Sequence, residues 1–180
     1  MFLFLQQKYT EIYEMRTELT ISPLLSALDE ICPSGYAIAL HIRFTTPMFL
    51  FQTYKRDWID TYTRKGMVMT DPTVRWGFEN TGTQTWDNLS DQDDAGVLRE
   101  AAAHGLKFGF VHAMEAGDSR TVASYARSDR NFSDAETSAI TAIMTKLHEL
   151  TRDTDALPAA EIAALKTLSI TLTHAGRPIT

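Results

Sequence analysis

Cysteine is nearly absent. The single residue, Cys32, excludes an internal disulfide framework and a cysteine-rich zinc site. Cys32 stands beside Pro33 with no predictable base, so it reads as a core or loop thiol rather than a nucleophile. Basic charge is also short: 17 Lys and Arg oppose 23 Asp and Glu, a net of −6 over 180 residues. The electropositive footprint that neutralises phosphates is missing, so this chain is not expected to bind nucleic acid by itself. No apolar run approaches the roughly 18 residues of a membrane span. The greasy stretch Met1–Leu5 stops at Gln6 without a basic flank and is too short for a signal peptide. Catalytic signatures are missing too. There is no glycine-rich phosphate loop and no Gly-x-Ser-x-Gly. The histidines at 41, 104, 112, 148 and 174 form no His-x-x-x-His pair, so neither a metal nor a cofactor is expected. His112, within an apolar strand pattern, reads as structural. What remains is 44% hydrophobic residues, enough for one full core, in a reducing cytoplasm.

What is present alternates between helix and strand signals. Ile12, Met15 and Leu19 sit at helical spacing within residues 7–19. Ser22-Pro23 reads as an N-cap and first-turn proline, with Leu24, Leu25, Leu28 and Ile31 on the inner face and Cys32-Pro33-Ser34-Gly35 as the stop. Strands are expected at Tyr36–Ile42, with Tyr36, Ile38, Leu40 and Ile42 on one side, and at Met48–Tyr54, joined by a hairpin loop at Arg43–Pro47. A helix is expected over Lys55–Lys65, stopped near Gly66. Asp71-Pro72 starts a short helix reaching Phe78, and Thr81-Gly82-Thr83 reads as a loop. Ser90, with Asp91, Asp93 and Asp94, opens a helix that closes at His104-Gly105. Gly109–Met114 and Thr121–Arg127 read as strands joined at Glu115–Asp118. Ser133–Glu136 fits a capping box ahead of the stripe Ile140, Ile143, Met144, Leu147 and Leu150. Thr151–Pro158 is a polar break, and Ala159–Leu172 a last helix. At least four short strands in hairpins, with helices before, between and after, predict an α+β fold: an α/β/α three-layer sandwich around a central antiparallel sheet. Small sensory domains of the PAS and GAF kind are built this way.

The informative stretch begins at Tyr54, Trp58 and Tyr62, four apart and so on one helix face. An aromatic core stripe is one reading. The other is a binding cavity, because Tyr and Trp carry polar tips that need partners when buried. Asp71 close behind supplies an acceptor, although it also suits an N-cap before Pro72. An apolar cavity with a few convergent polar groups is what a small amphiphilic ligand requires.

The string Tyr54-x-x-x-Trp58-x-x-x-Tyr62, then Asp71-Pro72, then Trp86, resembles the autoinducer-binding domain of LuxR-type quorum-sensing regulators. Gly105-Leu106-x-x-Gly109-Phe110 and the Thr121–Arg127 strand resemble the family's later strands, so the likeness runs over about residues 8–152. It implies a site for an N-acyl-homoserine lactone between the sheet and one helical layer. By the resemblance, the Trp58 indole N–H donates to the lactone carbonyl and Asp71 accepts from the ligand amide. The Tyr54 hydroxyl donates to the acyl carbonyl, Trp86 packs on the lactone ring and Tyr62 lines the cavity. Ser124 is the candidate for a further polar contact, with Tyr125 competing for that register. Leu40, Ile42, Phe51, Met67 and Met69 are expected around the acyl tail.

Full-length members carry a C-terminal helix-turn-helix domain. Here residues 1–156 correspond to the ligand-binding unit, and 157–180 resemble only the start of that second domain, with Lys166 and Arg177 against Glu161. A chain that opens on Met1 and stops at Thr180 is expected to be either the ligand-binding part of a longer regulator or, by preference, a natural truncated relative without its own DNA-reading half. Two functions from different classes follow: a non-enzymatic lactone-sensing domain, as a homodimer or heterodimer, or an interaction protein that dimerises with an intact regulator and inhibits it, Ile140, Ile143, Leu147 and Leu150 supplying the dimer helix. A lactone-hydrolysing enzyme is disfavoured by the missing metal ligands.

Overall fold

The computed structural model describes residues 21–153 and 159–173. The helix expected over residues 7–19 lies outside them. Among the described residues, helix α1 runs through 21–31; Ile21 is already helical, so Ser22 is not its N-cap, and Pro23 sits inside the helix. There follow β1 (Tyr36–Ile42), β2 (Phe49–Gln52), α2 (Arg56–Arg64), a 3₁₀ turn (Met67–Met69), α3 (Pro72–Glu79), β3 (Gly82–Thr85) and a second 3₁₀ segment (Asp87–Gln92). Then come α4 (Val97–Ala103), β4 (Phe108–Ala116), β5 (Ser119–Arg127), α5 (Asp134–Thr151) and α6 (Ala159–Thr173).

The five strands form one sheet in the order β2-β1-β5-β4-β3, every neighbouring pair antiparallel. Helices cover both faces, so the fold is the expected α/β/α sandwich of the α+β class. Two elements differ from expectation. Thr81-Gly82-Thr83 is not a loop: Gly82–Thr85 is an edge strand on β4. Its residues are mostly exposed, so backbone pairing rather than apolar burial forms it. The acidic run does not open a helix at Ser90 either. That stretch is 3₁₀, and α4 starts at Val97 because the Asp93 carboxylate accepts from the N–H groups of Val97 (2.7 Å) and Leu98 (2.9 Å). One side chain thereby satisfies the free donors of the first turn.

One face of the sheet carries the main core. Tyr36, Ile38, Leu40, Phe49, Phe51 and Tyr125 pack against Leu25 and Leu28 of α1 and Ile140, Met144 and Leu147 of α5. The α5 stripe is thus spent on the core, with Ile143 and Leu150 partly buried against it. The capping box forms as expected: Ser133 Oγ accepts from the Glu136 N–H, and the Glu136 carboxylate accepts from the Ser133 N–H at 2.8 Å. Helix α6 lies on β2, with Leu165 in the core. The Ser169 hydroxyl accepts from the Leu50 N–H (3.0 Å) and donates to the Leu50 carbonyl (2.7 Å), which occupies backbone groups of an edge strand.

The alternation of β1 breaks before its end. The register against β5 slips between Ala39 and Ile42, and His41 takes a left-handed conformation, φ 54°. This bulge turns two side chains over. Ile42, expected beside Leu40, instead faces the opposite layer. His41 enters the core side: its ring contacts His148 at 4.5 Å, Nε2 lies 2.8 Å from Thr151 Oγ1 and Nδ1 2.7 Å from Ser119 Oγ. The Thr151 hydrogen goes to the Leu147 carbonyl at 2.7 Å. His41 therefore donates from Nε2, and Nδ1 accepts from Ser119.

Candidate ligand-binding site

Between the other sheet face and α2–α4 lies a cavity of about 440 Å³, within the range that small-molecule sites occupy. Its floor is a consequence of strand period and side-chain size. Ala37 opposes Gln52 on one side and Ser124 on the other, and Ala39 opposes Leu50 and Val122. All six line the cavity, and the two alanines in the middle leave the depth.

Two glycines let the aromatic walls approach. Gly35 (φ 97°) lies against the Thr53–Tyr54 backbone, where a Cβ would stand 2.9 Å from the Tyr54 nitrogen. Both the angle and the space require glycine. Gly109 carries the Trp86 indole, which a Cβ would meet at 2.5 Å; the Trp86 backbone N–H also donates to the Gly109 carbonyl at 2.9 Å.

The structure gathers all six predicted site residues, Tyr54, Trp58, Tyr62, Asp71, Trp86 and Ser124, around this one cavity. Trp58 and Tyr62 share a face of α2, their rings edge-on at 5.5 Å. Tyr54 does not belong to that helix, which begins at Arg56; it stands in the connection from β2 and reaches the cavity from there. Asp71 is buried and is the N-cap of α3. Its Oδ1 accepts from the Thr73 N–H (2.8 Å) and hydroxyl (2.7 Å), and its Oδ2 accepts from the Tyr62 hydroxyl (2.8 Å). A carboxylate offers about four acceptor positions, so one remains open on Oδ2. The N-cap role and a ligand contact are therefore compatible. Burial, then the Asp71 charge, holds the Tyr62 phenol well above its ordinary pKa, so it is a permanent donor to that carboxylate.

Across the cavity the Tyr54 hydroxyl donates to the Ser124 carbonyl (2.9 Å) and the Trp86 indole N–H to Ser124 Oγ (3.0 Å). The Tyr54 proton expected on the ligand is thus engaged by the backbone. Ser124, which accepts from Trp86, keeps its own hydroxyl hydrogen. The Trp58 indole N–H bonds no described residue. Around the aromatic end of the cavity the site therefore presents two uncommitted donors, on Trp58 and Ser124, and one uncommitted acceptor, on Asp71; the Gln52 amide stands farther along the floor.

The apolar lining differs from expectation. Of the five residues assigned to a tail, only Ile42 lines the cavity. Leu40 and Phe51 point into the opposite core, Met67 packs in the cluster around Trp58, and Met69 is 85% exposed. Ala39, Leu50, Val74, Phe78 and Val122 take their place. Thr73 and Gln52 were not anticipated. The Asp-Pro-Thr spacing of an N-cap could have flagged Thr73; Gln52 has no local signal. Cys32 is buried, and burial pushes its thiol up to about 12, in keeping with a core thiol. His112 bonds Thr83 across β3 and β4 at 2.9 Å, a structural role.

The family description "Autoinducer binding domain" matches residues 36–153. This chain belongs to the autoinducer-binding domain family. Such domains are ligand sensors, not enzymes. Among solved structures, the chain is similar to CepR2 of Burkholderia cenocepacia, an N-acylhomoserine lactone dependent LuxR family transcription factor: 17% identity over 81% of this chain and 90% of that one, TM-score 0.57. It is also similar to residues 1–171 of E. coli SdiA, at 19% identity over 82% and 95% of the two chains, TM-score 0.58. SdiA in complex with octanoyl-rac-glycerol gives 16% identity over 92% and 84%, TM-score 0.55. These likenesses carry the fold. No curated protein matches significantly. Among the described residues, no helix is long and apolar enough to cross a membrane, and no group of three or more His, Cys, Asp or Glu is arranged to hold a metal.

Proposed function

We propose that this autoinducer-binding domain senses an N-acyl-homoserine lactone in quorum sensing. The observation that carries the reading is the inventory of uncommitted groups. The ligand has one amide N–H and two carbonyls; the aromatic end of the cavity has one open acceptor, on Asp71, and two open donors, on Trp58 and Ser124. A buried polar group left unpaired costs about 1–3 kcal/mol, so this match supplies selectivity as well as affinity. The Asp71 bond is charge-assisted and the strongest of the three. In this reading the lactone ring lies between Trp58 and Trp86, and the acyl tail runs over Ala39 toward Leu50, Val122 and Phe78. Octanoyl-rac-glycerol in SdiA supports an apolar chain of that kind beside a polar head.

The sensing domain acts in the cytoplasm and transmits occupancy through a homodimer or a heterodimer with a full-length regulator. The 180 residues, at a net charge of −6, do not bind operator DNA by themselves. Inhibition of an intact regulator is the second reading, but the α5 stripe that was to supply its dimer helix is used in the core.

Mass spectrometry of an organic extract tests the main reading. Protein purified from cells that also express a lactone synthase should carry an acyl-homoserine lactone in near-equimolar amount. An extract without lactone from a folded, lactone-exposed sample contradicts it.

A further inference from the structure

We propose that Gln52 selects ligands whose acyl chain bears a hydrogen-bonding substituent, a hydroxyl or an oxo group, close to the acyl carbonyl. The inference rests on the lactone reading and extends it. Trp58, Ser124 and Asp71 already account for both carbonyls and the amide of a plain acyl lactone. Gln52 is left over. It lines the cavity, is only partly exposed, and its side-chain amide bonds no described residue. That amide brings two donors and an acceptor. The hydroxyls of Tyr54, Tyr62 and Thr73 in the cavity wall are committed to the Ser124 carbonyl and to Asp71, and Thr45 and Thr63 are exposed to water.

Register places Gln52 where a substituent would be read. Gln52, Ala37 and Ser124 form one row across β2, β1 and β5; Leu50, Ala39 and Val122 form the next. The first row is polar at both ends and the second wholly apolar, the two being roughly 7 Å apart along the strands. Neighbouring strands lie about 4.8 Å apart, so Gln52 and Ser124 flank a gap whose centre holds only the Ala37 methyl. A chain whose carbonyl sits on Ser124 crosses this gap before it enters the apolar row. A ligand that fills the cavity expels the water serving the Gln52 amide, and a plain chain returns nothing for it.

Competition binding with three probes tests this: N-octanoyl-homoserine lactone and its β-hydroxy and β-oxo counterparts. The wild-type chain should prefer both substituted compounds by about tenfold. Gln52→Leu should lose the preference and bind the octanoyl compound at least as tightly as the wild type, which also reports that it is folded. Gln52→Glu, which can accept but not donate, should keep the β-hydroxy compound and lose the β-oxo one. Equal wild-type affinity for all three, or a Leu variant that retains the preference, overturns the role of Gln52 and leaves the lactone reading standing. Binding of none of them overturns the lactone reading and this inference with it.

Discussion

The Trp86 indole N–H donates to the Ser124 hydroxyl at 3.0 Å, which leaves the hydroxyl's own hydrogen uncommitted. One serine thus fixes a ring on one wall and offers a donor to a ligand. Ser124→Ala removes both. Lactone affinity should fall by about 1–3 kcal/mol, with a smaller loss in thermal stability because the Trp86 ring stays held on Gly109. Calorimetry and melting curves on the same sample separate the two effects.

Asp71→Asn leaves the α3 cap in place, since Asn caps as well as Asp, but replaces a charged acceptor by a neutral amide. Stability should change by less than about 1 kcal/mol, while affinity falls by about 1.5–3 kcal/mol. Unchanged affinity in a titration returns Asp71 to a purely structural role.

Trp58→Phe keeps most of the apolar bulk and deletes the indole N–H. The expected loss is about 1–3 kcal/mol in lactone binding, with little change in the unliganded melting temperature. Equal losses in both would make the Trp58–Tyr62 face core rather than site.

Acid should destabilise the fold through its buried histidine pair. Burial, then the neighbouring His148, lowers the His41 pKa to about 4, and burial lowers that of His148. Arg43 and Arg152 oppose the charge on His41; Arg152 opposes and Glu149 favours that on His148. The folded state prefers the neutral rings, so their contribution is complete above the unfolded value of 6.5 and is lost as pH falls from there toward 4. Melting temperature against pH should fall over that window. His41→Asn, which tolerates the left-handed backbone, should flatten the fall while costing about 1–3 kcal/mol at neutral pH.

That histidine also marks where the sequence stops being legible. The alternation from Tyr36 to Leu40 predicts strand, limits and inner face correctly. A bulge at His41 carries no glycine or asparagine to announce it, so Ile42 was expected on the wrong side. The edge strand Gly82–Thr85 has no apolar period because neither of its faces is buried. Ser90 and three aspartates offer several helix starts, and only three-dimensional placement singles out Asp93. The site was more visible: aromatic residues with polar tips and an Asp-Pro cap survive as a spacing, while Gln52 and Ala37 acquire meaning only from the register of three strands.

The central claim, that a lactone is held by the Trp58 indole, is tested most directly by a nitrogen–proton NMR titration of the tryptophan side chains. The chain has three, Trp58, Trp76 and Trp86, each with one indole N–H. Saturating N-octanoyl-homoserine lactone should move the Trp58 indole proton downfield as it gains an acceptor, perturb Trp86 and leave Trp76 nearly unmoved. An unshifted Trp58 resonance at saturation would contradict the site.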